Sequence, residues 1–412
     1  AYGRLLVCAS GRPEAFDPQG RVHADWSLAA AGEHIVLSAP DGARLDEVLA
    51  YPAQGEDLAY ARGLDGVWGF QAPTPDAPNR GARYAGWLKK PDFSQTRGFY
   101  DSPFSLALTD PNAGSTLLVS TDGTEPSAAY AGPLTIDRTC AVRARVARPG
   151  YFAPRTRTHT YVFVDGVVTS PVMRTVITQD PRYSAQVRQG LLDLPTVAVA
   201  VPEIRDDYFE REASVEVLWP QGGEAVQANC GFEQFGGSWQ EFAKKSWRLN
   251  FRKAFGAERL EAPLLNGFDR GFPVRERFNT LELRSGSQDM VARGFYLSGR
   301  FVEDAMLDMG SLNPHGRFVN LYLNGVYWGQ YDLREALDDD FLAAYLGGKR
   351  SDYLVVRGND NVGDNFVTGT PDPVNRQSWT RARELAPSYA AARDYVDVAG
   401  LTDFMLLWNY GN

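Results

Sequence analysis

The dipeptide Asn324-Gly325 lies between two runs of alternating apolar and polar residues and constrains the fold more than any other short segment. Asn-Gly is the strongest short-range signal for a two-residue hairpin loop with a type I′ turn, because both residues readily take positive φ. The flanking runs, residues 317–323 and 326–333, alternate with the period of two that is typical of strands. We therefore expect an antiparallel hairpin here, around which the neighbouring elements are arranged.

A lysine-bearing strand is predicted upstream, at residues 246–252, where every second residue from Trp247 is apolar. Lys245 lies two residues before Trp247 and is therefore expected on the same face of the strand. A lysine directed along a buried face is costly unless an anion contacts its ammonium. Phosphate oxygens and a nearby carboxylate both meet this need, and the sequence leaves the two alternatives open. A Gly-Gly-Ser sequence at residues 236–238 precedes the strand, and its glycines allow a ligand to approach the backbone closely.

A long amphipathic helix is predicted between this strand and the hairpin, at residues 289–309, with Gly310 at its C-terminal end. Glu303 and Asp304 on this helix are candidate carboxylate partners for Lys245, although their spacing does not prove it. Six apolar residues define the face that we expect to be buried: Val291, Phe295, Val302, Ala305, Met306 and Met309.

After the hairpin, Glu335 is expected to open the connector into a further helix at residues 339–346, closed by Gly347 and Gly348. A lysine-bearing strand, a helix, a hairpin, a connector and a helix follow one another in the same order in the N-terminal lobe of protein kinases. Such an order predicts an α+β fold and does not by itself predict a function.

Acidic residues near these elements have two interpretations. The run Asp338, Asp339 and Asp340 lies at the start of a predicted helix. Carboxylates at this position cap a helix and interact favourably with its dipole, and we favour this explanation over a metal site. Asp360 and Asp364 lie in a loop rich in Gly and Asn, which could hold a cation or form an ordinary surface loop, and the spacing lacks the glutamate of an EF-hand.

The length and charge of the chain limit its class and its partners. Its 412 residues predict two to three domains, and the net charge of −9 argues against nucleic acid as a partner. The three cysteines have neither the spacing of a zinc site nor that of a disulfide framework. No apolar run is long enough to predict a membrane span, and no signal peptide precedes the first strand.

Two all-β units are expected before the lysine-bearing strand. Residues 1–80 resemble part of the lamin-tail family, an immunoglobulin-like sandwich, through Phe16-Asp17, Trp26-Ser27-Leu28, Asp41-Gly42 and the Thr-Pro-x-x-Pro-Asn ending at residues 74–79. Residues 97–165 resemble the β-sandwich at the C-terminus of chitobiases, through the Ser-Thr-Asp-Gly-Thr-Glu-Pro run at residues 120–126 and the Tyr-Ala-Gly-Pro at 130–133. Residues 166–195 are expected to be a linker packed against its neighbours.

The chitobiase-like resemblance implies a carbohydrate partner, and a spacer role without a ligand is the alternative. We expect Asp122 and Glu125 to stabilise the turn in which they lie rather than to bind a ligand.

From about residue 194 to residue 412 the chain resembles the CotH kinase family of spore-coat proteins. Two long motifs carry this resemblance, in the family's order: Gly237-Ser238 followed by Phe242-Ala243-Lys244-Lys245-Ser246-Trp247, and the run at residues 324–335 that begins Asn-Gly-x-Tyr and ends Leu-x-Glu. Leu283-Arg284 fits a further family position. The complete fold prediction is a multidomain chain with two immunoglobulin-like sandwiches, followed by an atypical kinase-like α+β domain at residues 196–412.

The resemblance implies transfer of the γ-phosphoryl group of ATP to Ser or Thr of a secreted or surface protein, in an extracellular or cell-surface setting. It implies that Gly237, Ser238, Lys245, Arg284 and Glu335 bind the nucleotide. The family's Mg²⁺ ligands follow the helix that ends near Asn412, so we expect them beyond this residue, and the domain to be truncated and inactive. A non-catalytic extracellular scaffold or a carbohydrate-associated adhesion protein is the alternative.

Overall fold

The structure is a computed structural model that describes residues 4–11, 21–236, 242–287, 289–290, 294–353, 355–357, 366–368, 381, 384–385 and 387–411. Within these residues the chain is rich in β-structure, with seven α-helices and one short 3₁₀-helix. No helix among them is both long and apolar enough to cross a membrane.

The first unit consists of three separate two-stranded pairs. They are β1 (Val7–Cys8) with β2 (Val22–His23), β3 (Ile35–Ser38) with β4 (Arg44–Val48), and β5 (Ala59–Arg62) with β6 (Trp68–Gln71). The turn at Asp41-Gly42 joins β3 and β4 into an antiparallel hairpin, with Gly42 at φ +87°. The apolar clusters of the described residues contain nothing before Leu88, and the sandwich expected for residues 1–80 stays a prediction.

The second unit has a five-stranded sheet and smaller strand pairs around one core. Its strands are β7 (Gly86–Trp87), β8 (Asp92–Phe93), β9 (Gly98–Phe99), β10 (Phe104–Leu106), β11 (Leu108–Thr109), β12 (Thr116–Ser120), β13 (Ala128–Ala129), β14 (Leu134–Ile136), β15 (Cys140–Ala147), β16 (Tyr151–Phe152) and β17 (Arg157–Val162). The large sheet has the order β13-β12-β15-β17-β9, and β10 pairs with β14. Leu106 and Ile136 from that pair share a core with Val142 and Val146 of β15. The chitobiase-like sandwich expected for residues 97–165 stays a prediction.

The segment expected to be a linker contains three short helices: α1 (Val164–Val168), α2 (Thr175–Thr178) and α3 (Ser184–Asp193). Val164, Val167 and Leu191 are buried in a cluster with residues of both adjoining units, among them Val162 and Tyr322. This segment therefore packs against its neighbours, as expected. Its helices were not predicted, because its apolar residues show only weak periodicity.

The third unit is a closed barrel of seven strands. They are β18 (Thr196–Ala200), β19 (Arg211–Leu218), β20 (Val226–Phe235), β21 (Ser246–Asn250), β24 (Thr280–Arg284), β25 (Gly316–Leu323) and β26 (Val326–Glu335), in the order β18-β19-β20-β21-β24-β26-β25. The pair β22 (Leu260–Glu261) and β23 (Arg277–Phe278) lies outside the barrel. Parallel pairing of β18 with β25 closes the barrel, from Thr196 opposite Asn320 to Val199 opposite Leu323. The kinase-like order of elements did not predict this closure. The residue pattern of a strand does not indicate pairing with a strand that is far away in the sequence, as β18 and β25 are.

The barrel interior holds the largest core, and the predicted alternation of the lysine-bearing strand is confirmed there. Trp247, Leu249 and Phe251 are all buried in this core. The hairpin is also confirmed, since Asn324 and Gly325 have φ of 51° and 79°, as a type I′ turn requires.

The remaining elements are α4 (Ser298–Asp308), α5 (Asp339–Leu346), the 3₁₀-helix Arg350–Asp352, the pair β27 (Val355–Arg357) with β28 (Phe366–Thr368), α6 (Tyr389–Ala392) and α7 (Val398–Gly411). Helix α5 has the predicted bounds, and Asp338 caps it by accepting a hydrogen bond from the Phe341 amide at 2.9 Å.

Two sequence expectations need correction. Helix α4 begins only at Ser298. Part of the buried surface of this helix is polar, and Phe295 and Met309, which belong to the face expected to be buried, are exposed. Glu335 does not open a helical connector: it is the last residue of β26 and pairs with Leu281 of β24.

The second unit packs directly against the barrel. Asn324 hydrogen-bonds with both main-chain groups of Val201, at 2.8 and 2.9 Å, and its side chain lies against Gly123. The buried carboxylate of Glu216 accepts hydrogen bonds from Thr160 and lies 3.0 Å from Arg97 Nη1. The hairpin tip is thus an inter-unit contact.

Candidate functional site

Two consecutive lysines lie where the hairpin of β20 and β21 returns to the barrel. The strands place Phe235 opposite Ser246, with Gly236 at φ +124° after β20 and Lys244 and Lys245 immediately before β21. Gly237 and Ser238, both predicted to bind the nucleotide, lie outside the described residues. The site is therefore built from the lysines and from the elements packed around them.

The ammonium of Lys244 lies in an environment of carbonyl and aromatic groups. Its Nζ donates a hydrogen bond to the Gln330 carbonyl oxygen at 2.5 Å and lies 4.9 and 4.6 Å from the ring centroids of Tyr296 and Tyr331. No carboxylate within the described part of the chain forms an ion pair with it. Burial lowers the pKa of Lys244 to about 8, because desolvation disfavours the charged form.

Lys245 has a carboxylate partner that the sequence did not identify. Its Nζ lies 3.1 Å from Asp206 Oδ1, and the lysine side chain is 13% exposed whereas the aspartate is 70% exposed. The main-chain carbonyl of Lys245 accepts a hydrogen bond from the Tyr331 hydroxyl at 2.8 Å. The observed carboxylate partner therefore comes from the loop after β18, and the helix residues Glu303 and Asp304 are engaged elsewhere.

A chain of serine hydroxyls fixes the main chain beside the lysines. Ser246 Oγ donates to Ser285 Oγ at 3.1 Å, the Ser285 and Ser287 hydroxyls lie 3.0 Å apart, and Ser287 Oγ donates to the Lys244 carbonyl at 2.7 Å. Gly286, at φ +65°, turns the chain between the two serines against the ring of Tyr296. This turn follows directly on Arg284, so it joins another predicted site residue to the lysines.

Arg284 is at the same end of the barrel as the lysines. The strand register places it opposite Asp332, and its guanidinium forms an ion pair with Asp289. The predicted residues Lys245 and Arg284 are therefore brought together, although each has an acidic partner of its own in the ligand-free structure.

A network of charged side chains lies between α4 and the outer face of β24 and β26. Arg334 binds Glu282 at 2.9 Å and also binds Glu303, while Arg300 binds Glu303 at 3.0 Å. Together these contacts satisfy four buried or half-buried charges beneath the helix. They explain why a helix with few buried apolar residues still packs on the sheet.

Asp332 is the exception in this network. It is buried, and neither carboxylate oxygen has a hydrogen-bond partner among the described residues. The nearest cationic atom that forms an ion pair with it is Arg300 Nη1, at 3.9 Å from Oδ1. Burial, with a further contribution from Glu303, raises the pKa of Asp332 to about 6. A buried carboxylate of this kind destabilises the fold at neutral pH.

Glu335 is completely buried and its oxygens are occupied by neighbouring residues. It forms an ion pair with Arg275 at 2.7 Å, accepts a hydrogen bond from the His315 amide at 3.0 Å, and contacts the Tyr345 hydroxyl at 3.1 Å. In the pairing of β24 with β26 it lies three residues beyond Asp332, or about 10 Å along the strand. The structure thus places Glu335 apart from Lys245 and Arg284, inside a polar cluster.

Sequence reasoning missed Lys244, Asp206 and Asp332. Alternation directed attention to Lys245, whereas the surroundings of Lys244 depend on the carbonyl of Gln330 and on two tyrosines far along the chain. The lysine pair itself was the one local signal for Lys244. Nothing in the sequence links Asp206 to Lys245 or shows that Asp332 lacks a hydrogen-bond partner among the described residues.

Within the described part of the chain, no group of three or more His, Cys, Asp or Glu side chains is arranged to hold a metal ion. Asp338 is a helix cap, Asp339 binds Arg350, and Asp340 binds Arg259 at 2.7 Å. Asp360 and Asp364, with their neighbour Asn365, lie outside the described residues. The residues that the structure describes therefore do not provide a site that fits Mg²⁺.

Comparison with known proteins finds a family match that covers most of this site. Residues 232–396 match the family described as CotH kinase protein. The matched region contains both lysines, Arg284 and Glu335. No curated protein matches the chain. The match supports a CotH-like protein, and it does not extend to the lamin-tail-like or chitobiase-like units.

Proposed function

We propose that the barrel unit is the nucleotide-binding part of a CotH-like protein kinase, which acts on Ser or Thr of an extracellular or surface protein. The observation that supports this proposal most is the pair of largely desolvated lysines within the matched region, immediately before β21. Lys245 is the residue that would contact the phosphates of ATP, and Arg284 lies at the same end of the barrel.

Electrostatics support a phosphate-bearing ligand at this place. The ammonium of Lys245 is already withdrawn from water, so most of its desolvation cost is present before any ligand binds. An anion that carries several charges then gains more at this lysine than it would at a solvated one. ATP supplies the phosphoryl group for transfer when it is bound. Lys244 lies beside Lys245 and adds positive potential that weakens as its amine loses a proton.

Glu335 has a different role in this proposal from the one that the family resemblance implied. Because its oxygens bind Arg275, the His315 amide and Tyr345, it positions the end of β26 against the last turn of α5. It would affect nucleotide binding only through the position of these elements.

Titration calorimetry with ATP and Mg²⁺ tests the proposal. We expect measurable binding by the wild-type chain and a loss of at least tenfold in affinity for Lys245→Ala, since an ammonium–phosphate contact is removed. Lys253→Ala is the matched control, because Lys253 is exposed and follows the same strand, so the same charge is removed at a solvated position. Absence of heat in the wild type, or equal losses in both variants, would contradict nucleotide binding at Lys245.

A non-catalytic scaffold is the second candidate, and the contact between units favours it. The hairpin tip of the matched region lies against Gly123 and Cys140 of the second unit, and Glu216 is buried against Arg97 and Thr160. These contacts hold two units in a fixed arrangement, as a surface-assembly protein would require. Radiolabelled ATP with a phosphorylatable protein acceptor separates the candidates, because transfer that depends on Lys245 excludes a purely structural role.

A further inference from the structure

The loop between β18 and β19 supplies the carboxylate that binds Lys245. Residues 201–210 form this loop, and Asp206 within it reaches the lysine ammonium at 3.1 Å while remaining 70% exposed to solvent. The two partners therefore differ sharply in solvation. A well-hydrated carboxylate loses little when it leaves an ion pair, since exposed pairs contribute weakly to stability.

The loop is anchored by contacts that do not involve Asp206. Ile204 packs against the barrel core, and Asp207 binds Arg211 through both carboxylate oxygens at 2.6 Å. Glu210 binds Asn250 at 2.6 Å and Arg252 at 2.9 Å. Because these anchors lie on both sides of Asp206, its side chain can leave Lys245 while the loop main chain stays in place.

A further contact connects the loop to Gly236, the residue that follows β20. The Tyr208 hydroxyl donates to the carbonyl of Gly236, the last described residue before the Gly-Ser pair, at 3.4 Å. The loop that carries Asp206 therefore also contacts the residue that follows β20.

We infer that Asp206 is an autoinhibitory carboxylate, which holds the ammonium of Lys245 in the ligand-free protein and is displaced when a phosphate-bearing ligand binds. This inference rests on the proposed function, because it concerns the same lysine. A carboxylate carries one negative charge and two acceptor oxygens. A triphosphate carries more of both, so it competes successfully for a desolvated ammonium. The exchange breaks one ion pair and forms another, with no covalent step.

Affinity measurements on Asp206→Asn test the inference. If the ion pair must break before the ligand binds, its removal increases the apparent affinity for ATP and for inorganic triphosphate by roughly threefold to tenfold. Glu203→Gln is the matched control, because Glu203 is an exposed carboxylate of the same loop that pairs with Arg205 at 2.6 Å. It removes the same charge without touching Lys245, and we expect a change below about twofold. Inorganic triphosphate shows whether the phosphates alone produce the effect.

The acylation rate of Lys245, followed by mass spectrometry of its peptide, gives a second readout without a nucleotide. Loss of the covering carboxylate should increase labelling of Lys245 in Asp206→Asn but not in Glu203→Gln. Equal affinities and equal labelling in the two variants would overturn the inference and leave nucleotide binding intact. Failure of every variant to bind either ligand would overturn both the inference and the proposed function. Binding by Asp206→Asn alone would support both.

Discussion

Lys244 and Lys245 are neighbours in the chain, yet only one of them has a carboxylate partner in the described structure. Lys245 lies 3.1 Å from Asp206, whereas Lys244 donates to the carbonyl of Gln330 between two tyrosine rings. A carbonyl and aromatic faces stabilise a cation less than a full negative charge does. The two ammonium groups therefore lie in different electrostatic environments.

Replacement of Lys244 by Met should stabilise the protein at pH 7, by on the order of 1–3 kcal/mol. Its pKa is lowered to about 8 in the fold from 10.5, so the unfolded chain binds more protons than the native one between these values. The free energy of unfolding of the wild type should therefore rise with pH across that window, and the advantage of Lys244→Met should shrink. Urea unfolding at pH 7 and pH 9.5 measures this, with Lys253→Met as the exposed control. A constant difference at both pH values would show that desolvation of the ammonium is not the cause.

Asp332→Asn should also stabilise the protein at pH 7, by about 1–3 kcal/mol, since it removes a buried charge without a hydrogen-bond partner. The pKa of Asp332 is raised to about 6 from 3.8, so the native state binds more protons than the unfolded chain in that window. The cost of the carboxylate therefore appears as pH rises from about 4 to 6. Thermal unfolding at pH 5 and pH 7 should give a smaller difference at pH 5.

Asp308→Asn is the control for Asp332→Asn. Asp308 is exposed at the C-terminal end of α4 and pairs with Arg270 at 2.8 Å. We expect this change to be within about 0.5 kcal/mol of the wild type. Destabilisation by Asp332→Asn at pH 7 would mean that the buried carboxylate has a stabilising partner.

Glu335→Ala should destabilise the fold by about 3–5 kcal/mol, because Arg275 and the His315 amide would lose a buried acceptor. Chemical unfolding measures the loss, and Glu261→Ala, an exposed carboxylate paired with Arg277, should cost less than 1 kcal/mol. If Glu335 only positions its neighbours, then Glu335→Gln should bind ATP with nearly wild-type affinity wherever it remains folded. A large loss of affinity in folded Glu335→Gln would indicate direct contact with the ligand.

Gly325→Ala should weaken the contact between the hairpin and the second unit. Its φ is +79°, and an added Cβ would lie 2.8 Å from the Cα of Cys140, so strain and a clash act together. We expect a loss of about 2–4 kcal/mol and faster proteolysis between the units. Gly267→Ala isolates the strain, since Gly267 has φ +84° with no atom within 4 Å of the added Cβ. Equal losses in the two variants would show that the contact with Cys140 contributes nothing.

Local patterns predicted the elements of the barrel unit better than their assembly. The turn at Asn324 and Gly325, the buried alternation from Trp247 and the bounds of α5 are all as expected. Periodicity failed for the helix before the hairpin, because it measures apolar residues and α4 packs largely through charged ones. The position of Glu335 was mistaken because β26 continues two residues beyond the last apolar one.

The sequence by itself determined where the chain turns, which strand carries the lysines and which family region contains them, since each of these depends on a few adjacent residues. Tertiary structure alone decided that the sheet closes through β18 and β25, and that Glu335 lies inside a polar cluster. It also decided that Asp206 is the carboxylate partner of Lys245 and that Lys244 lacks one among the described residues. These outcomes depend on contacts between residues distant in the chain, and the pKa and the ligand preference of a lysine depend on whichever groups the fold places around its ammonium.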